Sequence, residues 1–210
     1  MHKHYLIAKE GWTLIGISLT ISMALQCYAG KWVLPAWLIT FFVISFFRDP
    51  ERIVSVQPSA ILSPADGRIV AVEKTKDPYQ KSDALKIAIF MNVFNIHANY
   101  LPVAGTIRQV QYHPGKFFKA SLDKASKENE RNALLIDMQN GQSITVVQIA
   151  GLIAKRILCY ISAGDKVNQG QRYGFIRFGS RVEVYLPITA KPHVAIGDHV
   201  TNAQTIIAQL

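Results

Sequence analysis

Two uncharged apolar runs open the chain, residues 12–28 (WTLIGISLTISMALQCY) and 32–47 (WVLPAWLITFFVISFF), with Gly30 and Lys31 between them. Each lies at the short end of the ~17–25 residues that cross a bilayer core. Two such runs in succession predict a hydrophobic helical hairpin, because soluble core helices of this kind need a large protein around them. Phe46-Phe47-Arg48-Asp49-Pro50, which closes the second run, does not resemble a signal-peptide cleavage site. From residue 58 the pattern changes to short apolar runs punctuated by Gly, Pro and Asp, which predicts β-strands. VEVYLP (182–187) alternates as a half-buried strand does, and Gly179-Ser180 stands at its mouth between Arg177 and Arg181. Taken alone, Gly-Ser is ordinary turn punctuation. The pattern divides the chain into an N-terminal anchor, 1–50, and a β-rich domain, 51–210.

Internal repeats refine the β-rich part. SPADGRIVAV (63–72) and LPVAGTIRQV (101–110) share P-x-x-G-x-I-x-x-V, and AGDKVNQGQ (163–171) and IGDHVTNAQ (196–204) share G-D-x-V followed by Gly or Ala and Gln. Only two copies of each, so widely spaced, predict a pseudo-symmetric sandwich or barrel. Charge then orients the anchor. Lys3 and Lys9 precede the first run, Arg48 and Arg52 follow the second, and Lys31 alone sits in the turn, which puts both outer ends in the cytoplasm. The net charge of +9 suits an anionic lipid surface. No helix-turn-helix, zinc-finger or RNA-recognition pattern supports nucleic acid as a partner. Cys27 and Cys159 form no C-x-x-C, so no disulfide is expected, and the six histidines lack zinc-ligand spacing, so no metal is expected.

The repeat motifs resemble the barrel-sandwich hybrid fold of biotinyl and lipoyl carrier domains. In those domains the modified lysine follows the Gln of G-Q by nine residues, on a hairpin turn, and the same count from Gln171 reaches Ser180. A carrier needs lysine there. Serine offers different chemistry: activated by a base, its oxygen attacks the Gly179 carbonyl and turns the amide into an ester. β-Elimination then cuts the chain, leaving dehydroalanine, which hydrolyses to a pyruvoyl group and ammonia. Glycine leaves the carbonyl unobstructed and tolerates a strained backbone.

Five segments carry a wider resemblance: FFRDPER (46–52), SPADGRI (63–69), NVFNIHANYLPVAGTI (92–107), YHPGKFFKASLDKASKENERN (112–132) and RFGSRVEVYLP (177–187). On them the chain resembles the phosphatidylserine decarboxylase family in its short, membrane-anchored bacterial form. The resemblance implies a zymogen cut between Gly179 and Ser180 into a β chain, 1–179, and an α chain, 180–210, that stay associated. It implies a pyruvoyl cofactor made from Ser180, and conversion of phosphatidylserine to phosphatidylethanolamine and CO₂ through a Schiff base. The implied location is the cytoplasmic face of the cell membrane, with a homo-oligomer left open.

By the same resemblance, His97 moves protons and Asp66 orients a base. Tyr100 stands where short forms carry Arg and long forms a second His, so the base that activates Ser180 is open, with His113 the other candidate. Tyr100, Arg177 and Arg181 are candidates for substrate binding, although the arginines equally suit a solvated hairpin. Phe117, Phe118, Lys116 and Lys119 suit a membrane interface, and the family likeness puts Asn129-Glu130-Arg131 near the site. An adaptor without chemistry is the competing reading, and it predicts an uncut chain.

Overall fold

A computed structural model describes residues 6–28, 30, 33–54, 59–116, 118, 128–151, 156–177 and 179–210. Phe117, Lys119 and Lys31 lie outside the described residues. The chain forms two compact units, Met1–Glu51 and Arg52–Leu210.

In the first unit a short 3-10 turn leads into α1 (Trp12–Tyr28), and α2 (Val33–Phe46) packs beside it. A buried hydroxyl pair joins the helices, Ser22 Oγ to Thr40 Oγ1 at 2.9 Å, and Trp37 Nε1 donates to Gln26 Oε1 at 3.2 Å. Gly11 is required before α1, because a Cβ there would lie 2.2 Å from the Phe47 ring. Ile21, Leu34, Leu38 and Phe41 keep more than half their surface exposed, so the pair presents apolar faces outward. The 20 residues Lys9–Tyr28 form a helix long and apolar enough to cross a membrane, whereas Val33–Phe46 is shorter.

The second unit is β throughout its described elements. Its strands are β1 (Ala60–Leu62), β2 (Gly67–Lys76), β3 (Asp83–Met91), β4 (Ala98–Tyr100), β5 (Gly105–His113), β6 (Arg131–Asp137) and β7 (Ser143–Ala150). There follow β8 (Ile157–Cys159), β9 (Lys166–Val167), β10 (Arg172–Ile176), β11 (Ser180–Pro187), β12 (Lys191–Pro192), β13 (His199–Val200) and β14 (Ile206–Gln209). A curled eight-stranded sheet runs β13-β2-β3-β11-β7-β6-β5-β9, and two three-stranded sheets run β1-β14-β12 and β4-β10-β8.

The large sheet is a pseudo-twofold in which each half repeats the other. The repeats do not pair with their own copies; they cross. Ile69 N donates to Asp198 O and Gly197 N to Ile69 O, while Ile107 N donates to Asp165 O and Gly164 N to Ile107 O. The G-D-x-V turn of each copy therefore docks on the P-x-x-G-x-I strand of the other. Gly67 and Gly105 are demanded in the same way: a Cβ would lie 2.2 Å from Phe90 O and 2.4 Å from Asp137 O respectively. Each of these strands then bulges at the same place, between Ile69 and Ala71 and between Ile107 and Gln109.

Hydrophobic burial inside the curl drives the fold. Ile87, Ile89, Ile136, Ile144, Val146, Val182, Val184 and Ile207 meet there, each 0% exposed. β11 sits at the centre, paired with β3 and β7 and buried on both faces except at Pro187. The half-buried strand expected from its alternation is thus a fully buried one. Its polar residues Arg181, Glu183 and Tyr185 lie under cover on the outer face.

Candidate active site

Gly179 and Ser180 join β10 to β11, strands of different sheets. The exposed hairpin turn expected here is instead a buried crossing, and Ser180 is 0% exposed. Gly179 has φ +62° with open space where a Cβ would stand, so backbone conformation alone accounts for glycine. Its amide donates to His97 Nε2 at 3.2 Å. His97 Nε2 is therefore an acceptor, and the ring proton sits on Nδ1, which meets the Asn95 carbonyl at 2.9 Å. This tautomer leaves the Nε2 lone pair for the amide of Gly179, one residue before Ser180. The imidazole is wholly buried and lies beside Phe175, ring centroids 6.4 Å apart.

Ser180 is opposite Met91 on β3 and Ala150 on β7, with its hydroxyl turned to the core face. Oγ donates to Met91 Sδ at 3.1 Å. Ala150 leaves room on the other side, and its carbonyl is held by Asn129 Nδ2 at 2.7 Å. Glu130 O accepts from Ala150 N at 2.9 Å, so Asn129 and Glu130 secure the strand flanking Ser180.

Asp66 occupies the first P-x-x-G turn. Its Oδ2 accepts from Arg52 at 2.9 Å and its Oδ1 from Asn202 N at 2.7 Å, while Arg52 Nε reaches Asn202 Oδ1 at 2.9 Å. Asn202 Nδ2 donates to Ala98 O, next to His97. Asp66 thus stands in a clasp tied to the histidine strand. The second copy has Ala104 at the same place, so the turn itself does not require the carboxylate. Tyr100 is 5% exposed, and its amide donates to Pro64 O at 3.0 Å. Arg177 is partly buried, its amide donating to Arg156 O at 3.3 Å.

Two candidates lie across the sheet from the hydroxyl. Arg181 follows Ser180 and so points to the outer face, where it is 1% exposed with Nε 2.9 Å from Glu183 Oε1. His113 shares that face, opposite Arg131 and with its ring centroid 6.0 Å from that of Tyr79. His113, Arg131, Glu183 and Tyr185 line a cleft of about 590 Å³ there. Tyr185 donates to Glu183 Oε2 at 2.8 Å, and burial together with that carboxylate pushes its hydroxyl pKa up.

The structure therefore brings Gly179, Ser180 and His97 together, with Asp66 and Tyr100 on adjoining turns and strands and Arg181 and His113 behind the sheet. Met91, Asn99, Asn202 and Arg52 also belong to this neighbourhood, and sequence reasoning did not select them. Asn99, a buried polar residue two places beyond His97, was the available signal.

A buried histidine bonded to the glycine of a Gly-Ser pair at the head of a strand makes a candidate serine-activation site on a pseudo-symmetric β scaffold. Comparison with known proteins gives it a family. The phosphatidylserine decarboxylase family profile matches residues 39–208. Over 210 residues the chain is 58% identical to the phosphatidylserine decarboxylase proenzyme of Ralstonia pickettii (strain 12J), covering 100% of this chain and 98% of the relative. It is 56% identical over 211 residues to the same-named protein of Cupriavidus taiwanensis (strain DSM 17343 / BCRC 17206 / CCUG 44338 / CIP 107171 / LMG 19424 / R1), covering 100% and 98%. It is 55% identical over 210 residues to that of Neisseria gonorrhoeae (strain NCCP11945), covering 100% and 81%. The chain belongs to the phosphatidylserine decarboxylase family, and its enzyme class is that of a carboxy-lyase.

Proposed function

We propose that the chain cuts itself between Gly179 and Ser180 and uses the resulting pyruvoyl group to convert phosphatidylserine to phosphatidylethanolamine and CO₂. The observation that carries this is the His97 Nε2 contact, 3.2 Å from the Gly179 amide, beside the buried Ser180 hydroxyl. As Oγ bonds to the Gly179 carbonyl carbon, its proton leaves to a base and the Ser180 nitrogen gains one when the peptide bond breaks. Base removal of the Ser180 Cα proton expels Gly179 as a carboxylate. Water then replaces the nitrogen and ammonia departs. His97 is the proton carrier, and the Asp66–Asn202 clasp fixes the strand it stands on.

The residues fit the group: it would stay covalently attached to Arg181 at the head of β11, where Ser180 now lies between Met91 and Ala150, with His97 bonded to the preceding residue. Once formed there, the group would supply a ketone able to condense with the substrate amine and a sink for the electron pair left by loss of CO₂. We read the two crossed repeats as a barrel-sandwich hybrid. The apolar helices act as the membrane anchor on the cytoplasmic face, since 20 residues of helix span ~30 Å, the thickness of a hydrocarbon core.

Intact mass of the wild-type protein beside Ser180→Ala tests the reading. Two wild-type fragments are expected, the smaller beginning at residue 180 and lighter by one ammonia than hydrolysis would leave. Ser180→Ala stays a single chain. An uncut wild type overturns the proposal.

A further inference from the structure

A line of buried polar side chains crosses the apolar interior and ends on Ser180. Asn132 Nδ2 donates to Gln148 Oε1 at 3.2 Å, and Gln148 Nε2 to Asn99 Oδ1 at 2.8 Å. Asn99 Nδ2 points at Met91 Sδ from 3.9 Å, the sulfur that also receives the Ser180 hydroxyl at 3.1 Å. All five residues are 3% exposed or less. Gly174 permits the line, because a Cβ there would lie 2.7 Å from Gln148 Nε2. Buried amides cost stability unless satisfied, and a barrel interior has no structural need of three.

The direction of the line gives its use. Each amide donates toward Ser180, and Gln148 and Asn99 each accept from the amide behind, so the last N–H of the line and the serine O–H converge on one thioether. A thioether is a weak acceptor and not a base. It can orient the hydroxyl proton and cannot take it away.

We propose that Met91 is a positioning residue for self-cleavage, its sulfur fixed by the Asn99–Gln148–Asn132 line and holding the Ser180 hydroxyl proton. The oxygen lone pairs are thereby kept off the Met91 side and left for the Gly179 carbonyl carbon. As the oxygen–carbon bond forms the proton turns off the sulfur and passes to His97, and the Ser180 nitrogen is protonated as the peptide bond breaks. This rests on the self-cleavage reading above.

Pseudo-symmetry supplies the control. Met138 stands before the β6–β7 turn where Met91 stands before the break between β3 and β11, and Met138 also packs against the core. The test is a time course of fragment appearance after cell-free synthesis of the full chain into phospholipid vesicles. Met91→Leu conserves volume, and loss of one orienting hydrogen bond slows cleavage about three- to tenfold. The pH midpoint of cleavage stays where it is in the wild type, because neither Met nor Leu titrates. Met138→Leu cleaves at the wild-type rate.

Equal rates for Met91→Leu and wild type overturn the proposal, as does equal slowing in Met138→Leu. It is also overturned if Met91→Leu, placed in Ser180→Ala, lowers the unfolding temperature enough to account for the slower cleavage. A wild type that never cleaves overturns the self-cleavage reading itself, and with it this one.

Discussion

Asp66 offers the sharpest test of how the site is held. Its side chain and that of Arg52 are 14% and 15% exposed, so their 2.9 Å pair is screened far less than a surface ion pair worth ~0–1 kcal/mol. Asp66→Ala removes this charge-assisted hydrogen bond and the acceptor of Asn202 N; at about 1.5–3 kcal/mol for bonds to a charge, discounted for residual exposure, the loss comes to about 3 kcal/mol. Arg52→Ala loses about 2 kcal/mol through the same carboxylate and Asn202 Oδ1. Because they share partners, the double variant loses about 3–4 kcal/mol, leaving a coupling of about 1–2 kcal/mol. The cycle is measured by thermal unfolding of the full chain in detergent, in a Ser180→Ala background that keeps every variant one chain. Additive losses would refute the clasp. So would an Asp66→Ala chain of wild-type stability that no longer cleaves, because the carboxylate would then serve the chemistry alone.

Other perturbations follow from packing and burial. Gly105→Ala sets a Cβ 2.4 Å from Asp137 O, a backbone atom that cannot yield cheaply, and loss of about 2 kcal/mol or more is expected in unfolding. Wild-type stability would mean that β5 and β6 approach less closely than described. Tyr173 is 0% exposed, and its hydroxyl has no hydrogen-bond partner among the described residues. Tyr173→Phe is therefore expected to gain about 1 kcal/mol, and a loss would reveal a partner. Burial raises the pKa of Tyr79, Tyr173 and Tyr185 alike. The folded chain keeps those protons after the unfolded chain begins to lose them, so their contribution is intact below about pH 10 and falls as pH rises beyond it. Unfolding temperature should drop as pH rises past about 10, and less steeply in Tyr173→Phe; equal slopes would refute the assignment.

The repeats were legible because close backbone approach admits only glycine at positions 67 and 105, and that requirement leaves a mark in sequence. Which copy pairs with which was not legible, since both G-D-x-V turns are chemically able to dock on either strand. Alternation in β11 suggested one wet face, yet Glu183 pairs with both Arg181 and Tyr185 under cover, and pattern alone does not separate covered polar residues from solvated ones. His113 shows how a bulge hides a face. Counting in twos from the inward Ile107 puts His113 inside, but the extra residue before Gln109 moves Val110 to the core and His113 to the outer face. His97 and Gly179-Ser180 were legible as a family pattern. Met91, Asn99 and Gln148 were not, because a single polar or sulfur-bearing residue in an apolar strand carries no mark of what it touches.

The two halves of the large sheet differ where chemistry is read. In one half, β6 and β7 are joined by a closed turn in which Gly141 has φ +81° and Met138 N bonds to Gln142 O. In the other, Met91 and Ser180 face each other as β3 and β11 do throughout, but the chain leaves after Met91 and returns only at Gly179, φ +62°. Gly179-Ser180 thus holds the place of Gly141-Gln142, opened so that His97 reaches it. A cut there severs no hairpin. Every strand from β11 on keeps its partners: β11 lies between β3 and β7, β13 on β2, and β14 on β1. The 180–210 fragment should therefore co-elute with 1–179 in detergent and separate only under denaturant that unfolds the sheet. If it is released while the rest keeps its β circular dichroism, the central place of β11 is wrong.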